Sequence, residues 1–172
     1  IAQQNEKAKQ KAYQEVIADA DKFEALDGSY ASDKVAETAK AVLAASATDF
    51  SKDDVSEVVA GIKNGKIIGF VVTVVAHDGY GGDIQITVGI MSDGTVNGIS
   101  FLSISETAGL GMRAKEPSFY NQFAGQQAEK FYVSKDGGDG QPIDALSGAT
   151  ITSRAVTGAV NTALGYYQTA LG

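Results

Sequence analysis

Two Asx-Gly dipeptides, Asn64-Gly65 and Asp93-Gly94, each sit between two apolar runs, and this commits the middle of the chain to antiparallel β structure. Asn-Gly and Asp-Gly readily enter the tight hairpin turns whose twist matches that of paired strands. The first dipeptide joins Val55 to Ile62 with Ile67 to Val75, and the second joins Asp83 to Met91 with Val96 to Ile104. Two hairpins in series predict an antiparallel sheet of about four strands.

Helical periodicity frames this sheet. Residues 3–26 predict a helix charged on one side, with Tyr13, Val16, Ile17, Ala20 and Phe23 as its apolar stripe and Asp27-Gly28-Ser29 as its end. A second helix is predicted over 33–46, with Val35, Ala39, Val42 and Leu43 at helical spacing after Ser32 as cap. Val156, Ala159, Val160, Ala163, Leu164, Tyr167 and Leu171 repeat the same period at the other end. Residues 114–131 read as a short helix and a following strand whose Phe119, Tyr120, Phe123 and Phe131 belong to the core. Helices before and after the hairpins then cover one face of the sheet. The fold class is α+β, an antiparallel sheet of hairpins with N-terminal and C-terminal helices packed on it.

At 172 residues and 44% hydrophobic content, the chain can bury one core, and one domain is the default expectation. The first 50 residues, with Lys and Glu mixed through Ala, differ from the glycine-rich remainder. Residues 1–50 are expected to be an N-terminal helical extension, packed on the sheet or forming a stalk, and residues 51–172 the domain proper. A net charge of −7 without a basic run argues against nucleic acid and anionic membrane surfaces as partners. Cysteine is absent, which removes disulfides, thiolate catalysis and iron–sulfur ligation, so any electron transfer must use an added cofactor. No run approaches the ~18 to 20 apolar residues that span a bilayer. The chain starts at Ile1, without an initiator Met, and runs straight into a polar helical pattern; the expectation is that upstream sequence has been removed.

The candidate site is the run Asp144-Ala145-Leu146-Ser147-Gly148-Ala149-Thr150, which leads into Ile151-Thr152-Ser153 and the C-terminal helix. Ser147, Gly148 and Ala149 let the backbone turn sharply beside a bulky group, and Gly148 takes φ > 0 at little cost. Thr150 or Thr152 then supplies an N-cap. Unpaired N–H groups and the positive end of the helix dipole point at this spot, which suits a phosphate, and Arg154 in the first turn adds a charge-assisted contact. Elsewhere, Lys135 to Gln141 reads as a mobile loop whose acidic spacing does not reproduce a calcium loop, so no metal is assigned. His77 and Asp78 read as polar residues that end a strand.

The segment Asp144-x-x-Ser147-Gly148-Ala149-Thr150 resembles the flavinylation motif of the FMN-binding domain family. Gly79-Tyr80-Gly81-Gly82, Glu106-Thr107-Ala108-Gly109-Leu110-Gly111 and Lys135-Asp136-Gly137-Gly138-Asp139 support the likeness in the expected order. The family includes the G subunit of Rnf-type ion-translocating oxidoreductases, the nearer likeness, and the C subunit of the sodium-pumping NADH:quinone reductase. The resemblance implies that Thr150 carries FMN through a phosphoester bond. It further implies that a separate magnesium-dependent flavin transferase, with FAD as donor, reads Asp144, Ser147, Gly148 and Ala149 as its substrate segment. A threonine hydroxyl is a weak nucleophile that needs such help.

In the cofactor-binding segment Glu106 to Gly111, Gly109 and Gly111 would permit close approach to the flavin ring, Leu110 would cover its face, and Thr107 and exposed backbone amides would bond to ring oxygens and nitrogens. Family members usually carry Pro where this chain has Ala108, which leaves the loop less rigid here. Tyr80, beside Gly81, either stacks on the flavin or is a turn tyrosine with its hydroxyl in water. By resemblance the full-length protein is held on the extracytoplasmic face of the cytoplasmic membrane by an N-terminal helix, among other membrane subunits of a redox complex. Two other functions are open: a stand-alone extracellular flavoprotein reductase, and a flavin-free binding or structural domain.

Overall fold

The structure, a computed structural model, describes residues 2–172; Ile1, the start of the N-terminal extension, lies outside the described residues. Its centre is a five-stranded antiparallel sheet in the order β1-β2-β3-β4-β5, formed by Lys22–Ala25, Asp53–Lys63, Lys66–Ala76, Ile84–Met91 and Val96–Ser103. The α+β class is the one expected.

The two hairpins close in different ways. Asn64 and Gly65 both take the left-handed conformation, φ +51° and +76°, which is what a two-residue turn matched to strand twist requires. At the second hairpin only Gly94 does so, at φ +88°, and its N–H bonds the Met91 carbonyl at 2.9 Å while Met91 N–H bonds Thr95 O at 2.9 Å. That is a three-residue loop ending on a glycine bulge. Asp93 holds it by accepting the Thr95 N–H at 2.9 Å.

The helix expected over 3–26 is shorter. Helix α1 runs Ala2–Val16, the chain turns at Ile17 to Asp21, and Lys22–Ala25 becomes β1, paired with Val59 to Ile62. The spacing of Ala20 and Phe23 fits a helix stripe, and both residues do join the cluster of Tyr13, Val16 and Ile17, but Ala20 does so from the turn and Phe23 from the strand beyond it. Pairing with the outer edge of β2 satisfies a row of backbone groups that a longer helix would leave open, and that tertiary gain decides the conformation. Asp21 secures the turn by accepting Asn64 N–H at 2.9 Å.

Helices cover both faces of the sheet rather than one. Along β3, Val71 joins Tyr13 and Val16 of α1 and Ile17 just after it, whereas Val72 and Val74 join the opposite layer. That layer is made by α2, Val35–Ala44, and α4, Thr150–Tyr166. Strands β3 and β4 are apolar on successive residues, so each face needs its own cover. Gly89 lets α1 lie close, since a Cβ there would stand 2.6 Å from the Val16 carbonyl oxygen. Asn97 Nδ2 donates to that same carbonyl at 2.7 Å and ends the helix. The second helix starts at Val35 with Lys34 as an N-cap that makes no side-chain bond, so Ser32 is not its cap.

The aromatic stripe is core. Phe119, Phe123 and Phe131 are buried, with ring centroids 5.9 and 5.2 Å apart along the series. They come from a single helical turn, α3 at Pro117–Tyr120, with the residues just after it, and from β6, Phe131–Val133. Strand β6 pairs in parallel with β7, Gln141–Ile143, and α4 grips it by hydrogen bonds in both directions between Asn161 and the Phe131 backbone, each 2.8 Å. This small sheet delivers the chain to the N-terminus of α4. Among the described residues no helix is long and apolar enough to cross a membrane.

Candidate functional site

Three turns converge at one end of the sheet: the one after β3, the one after β5, and the link from β7 into α4. Between them lies a cavity of about 510 Å³ lined by Tyr80, Thr107, Leu110, Gly111, Gly148, Ala149, Thr150, Ile151 and Thr152. Four large apolar side chains stand exposed among the described residues, and three of them, Tyr80, Leu110 and Ile151, rim this cavity. Exposed apolar surface gathered at one concavity marks a binding site more than it marks chance.

Glu106 fastens the three turns together. Its carboxylate accepts the Tyr80 N–H at 2.9 Å, the Gly81 N–H, and the Thr152 hydroxyl at 2.7 Å. Gly111 is needed where these parts meet, because a Cβ there would stand 2.5 Å from Thr152 Oγ1 and 2.6 Å from Glu106 Cβ. The closeness that its glycine permits is therefore between protein segments. Gly109, at φ +76° with open space around it, faces outward. Replacing Glu106 by alanine leaves two N–H groups and a hydroxyl without their acceptor. An unfolding loss of roughly 1–2 kcal/mol is expected in urea titration, with Glu106→Gln keeping part of it as a single remaining acceptor.

At the other wall, α4 begins at Thr150 and its N-cap is Ala149, which brings no side-chain acceptor. Neither Thr150 nor Thr152 caps the helix. The N–H groups of Thr150, Ile151 and Thr152 have no partner among the described residues, so the positive end of a 17-residue helix opens onto the cavity. Gly148, at φ +74°, makes the sharp entry. Ser153, which the sequence did not single out, stitches the turn from inside: its hydroxyl donates to Ala149 O and accepts the Leu146 N–H, both at 2.9 Å.

The cation at Thr150 differs from the one the sequence pointed to. Arg154 forms a two-bond ion pair with Asp136, at 2.8 and 2.6 Å, and this pairing holds the Asp136 carboxyl below the usual range. It is Lys135 whose ammonium donates to Thr150 Oγ1, at 3.1 Å. Asp144 lies away from the cavity. Its carboxylate accepts the Ser134 hydroxyl at 3.1 Å, and its N–H bonds Gln122 Oε1 at 2.7 Å. Ser147 is exposed, and its carbonyl accepts a bond from Arg113. Thr107 and Leu110 line the cavity, and Tyr80 stands 69% exposed at its mouth.

An anion-seeking helix end on one side and an exposed apolar rim on the other suit a ligand with a phosphate and a flat ring. Residues 79–165, which include the cavity-lining residues of all three turns, match the FMN-binding domain family, and the chain belongs to that family. It is 38% identical over 122 residues to the G subunit of the Na(+)-translocating ferredoxin:NAD(+) oxidoreductase complex of Acetobacterium woodii, covering 67% of this chain and 57% of that protein. To the G subunit of the proton-translocating ferredoxin:NAD(+) oxidoreductase complex of Clostridium ljungdahlii it is 42% identical over 105 residues, 61% of this chain and 56% of that one. The chain thus spans a little over half the length of the curated relatives it matches. Its fold is that of the crystal structure of Shewanella oneidensis NqrC, with a TM-score of 0.65 at 20% identity over 98% of this chain and 96% of that one. The C subunit of the Na(+)-translocating NADH-quinone reductase from Parabacteroides distasonis gives 0.61 at 19% identity, over 98% and 94%.

Proposed function

We propose that the chain is the flavin-carrying part of the G subunit of an Rnf-type ion-translocating oxidoreductase, with FMN joined to Thr150 by a phosphoester bond. The observation that carries this is the placement of Thr150 Oγ1. Thr150 is partly exposed, stands at the uncapped start of α4, and meets an ammonium group on the wall of the cavity. A cavity of about 510 Å³ falls within the usual range for small-molecule sites, about 300 to 1,000 Å³, and its rim suits a flat ring.

In the attachment, Thr150 Oγ1 forms a bond to the flavin-side phosphorus of FAD as the anhydride bond to AMP breaks. AMP leaves, and the hydroxyl proton passes to a base of the magnesium-dependent transferase, since Thr150 Oγ1 meets an ammonium and no basic group among the described residues. Bound FMN supplies transfer of one or two electrons between unlike redox partners. The chain's own part is to hold the phosphate at α4, to bracket the ring with Tyr80, Leu110 and Ile151, and to keep these turns in register through Glu106. Residues 51–172 carry these tasks. By this reading the domain works on the extracytoplasmic side of a membrane, where other subunits of the redox complex exchange electrons with the flavin.

The test is the intact mass of the chain after coexpression with a flavin transferase. A gain equal to FMN minus water, with flavin fluorescence that survives a denaturing gel, is expected. No gain, while the same transferase modifies a control substrate, overturns the proposal.

A further inference from the structure

Three consecutive side chains of the turn after β6 reach the segment that carries Thr150. Ser134 Oγ donates to Asp144 Oδ1 at 3.1 Å, Lys135 Nζ donates to Thr150 Oγ1 at 3.1 Å, and Asp136 receives Arg154 at 2.8 and 2.6 Å. The outer two contacts fasten the turn at the start of the segment and one helical turn beyond Thr150. The middle one is left aimed at the hydroxyl.

Lys135 is exposed, and the Thr150 hydroxyl is its only hydrogen-bond partner among the described residues. An ammonium is a compact charge that gains far more from an anion than from a neutral hydroxyl. A phosphate held here needs a local cation, because the chain carries 21 acidic against 14 basic side chains and repels an anion in general. Arg154 fills that need poorly, because its charge is already matched by the Asp136 carboxylate.

We propose that Lys135 is the phosphate-binding cation of this site, and that the Ser134–Asp144 and Asp136–Arg154 contacts are the latch that positions it. The proposal rests on reading Thr150 as the point of FMN attachment. The ammonium moves from the hydroxyl to a nonbridging phosphate oxygen. There it offsets charge on the phosphoryl group as the Oγ1–P bond forms, and afterwards the single negative charge of the phosphodiester. The free N–H groups of the first turn of α4 share the same oxygens.

Two measurements test it on Lys135→Gln and Lys135→Arg. One is the initial rate of flavin transfer to the purified chain by a flavin transferase with FAD and Mg²⁺. The other is the affinity of the unmodified chain for free FMN against riboflavin, which lacks the phosphate. Lys135→Gln is expected to slow transfer about tenfold or more and to cut the preference for FMN about tenfold, the loss a charged hydrogen bond implies, while the α4 N–H groups keep the remainder. Lys135→Arg keeps the charge and is expected to restore both. Asp136→Asn, which opens the latch, should fall between.

The FMN-over-riboflavin preference of the unaltered chain should shrink with added salt, and that of Lys135→Gln should shrink less. Equal melting midpoints exclude a folding defect. Transfer at the unaltered rate with an unchanged FMN preference in Lys135→Gln overturns the proposal. If the unaltered chain accepts no flavin while a control substrate does, the attachment reading falls instead, and the FMN-versus-riboflavin comparison still decides the role of Lys135.

Discussion

Thr150→Ala is expected to abolish covalent flavin altogether, while Thr152→Ala, two residues on, keeps it. The first turn of α4 and its approach hold four hydroxyls, and the structure separates them by access and by occupation. Thr152 is 2% exposed and its hydroxyl donates to Glu106 at 2.7 Å. Ser153 is fully buried and both its bonds are internal. Ser147 is exposed, but it precedes Gly148 and stands outside the turn whose N–H groups are free. Thr150 alone combines access with those donors and with Lys135.

The contrast between the two variants is what makes the result informative. If the transferase merely needed a threonine near the helix start, Thr152 would substitute, and Thr150→Ala would retain some mass gain. Thr152→Ala loosens the Glu106 clamp, so a slower reaction on a less stable chain is expected, with the full gain at completion. Thr150→Ser retains the hydroxyl and should accept flavin, since the bond from Lys135 needs only the oxygen. Intact mass on the four proteins, with the unaltered chain as reference, reads all of these at once.

Some of this was legible in the residues and some was not, and the division follows the range of the interactions. Both hairpins were readable because Asn64-Gly65 and Asp93-Gly94 act through local backbone geometry. Strand β1 was not, because Phe23 at three residues from Ala20 satisfies a helix pattern, and the edge of β2 that decides the matter lies about 40 residues away in sequence. The second covered face was hidden for a related reason. Nearly continuous apolar residues in β3 tell that both sides are buried without telling which helix goes where.

At the site, the run from Asp144 to Thr150 stands out by its own small residues and the helix that follows. The contacts of Lys135 with Thr150, Glu106 with Thr152 and Arg154 with Asp136 join residues 15, 46 and 18 positions apart, and no local pattern predicts them. Arg154 was the natural choice for an anion contact because it lies in the first turn of α4. Its pairing with Asp136 became visible only with the β6 turn folded against that helix.

The stability of the chain is expected to fall as pH rises through about 6, and Asp53→Asn is expected to remove most of that fall. Asp53 opens β2 beneath α4. One carboxylate oxygen accepts the Thr162 hydroxyl at 2.6 Å, and the other is buried without a partner among the described residues. Burial pushes its pKa up from 3.8 to about 6, the Thr162 bond and nearby His77 counter this, and Asp78 and Asp54 add to it. A raised carboxyl pKa means that the fold favours the protonated form. Its contribution is therefore fully present below the ordinary carboxyl range and is lost as pH climbs through about 6, after which the cost is constant. At about 1.4 kcal/mol per unit, the shift corresponds to roughly 2–3 kcal/mol between pH 4 and pH 7.5.

His77 acts in the same direction, because its bonds to Asp54 and Asp83 raise its pKa, so its contribution also fades as pH rises. The two are separated by difference. Asp53→Asn keeps an acceptor for Thr162 and leaves His77 with its own partners. Urea unfolding of both proteins from pH 4 to 8 should give curves that diverge from about pH 4 and run parallel again above about pH 6, with the variant the more stable at pH 7.5. Parallel curves would mean that the buried oxygen finds a partner in solution, and that β2 meets α4 through a solvated contact.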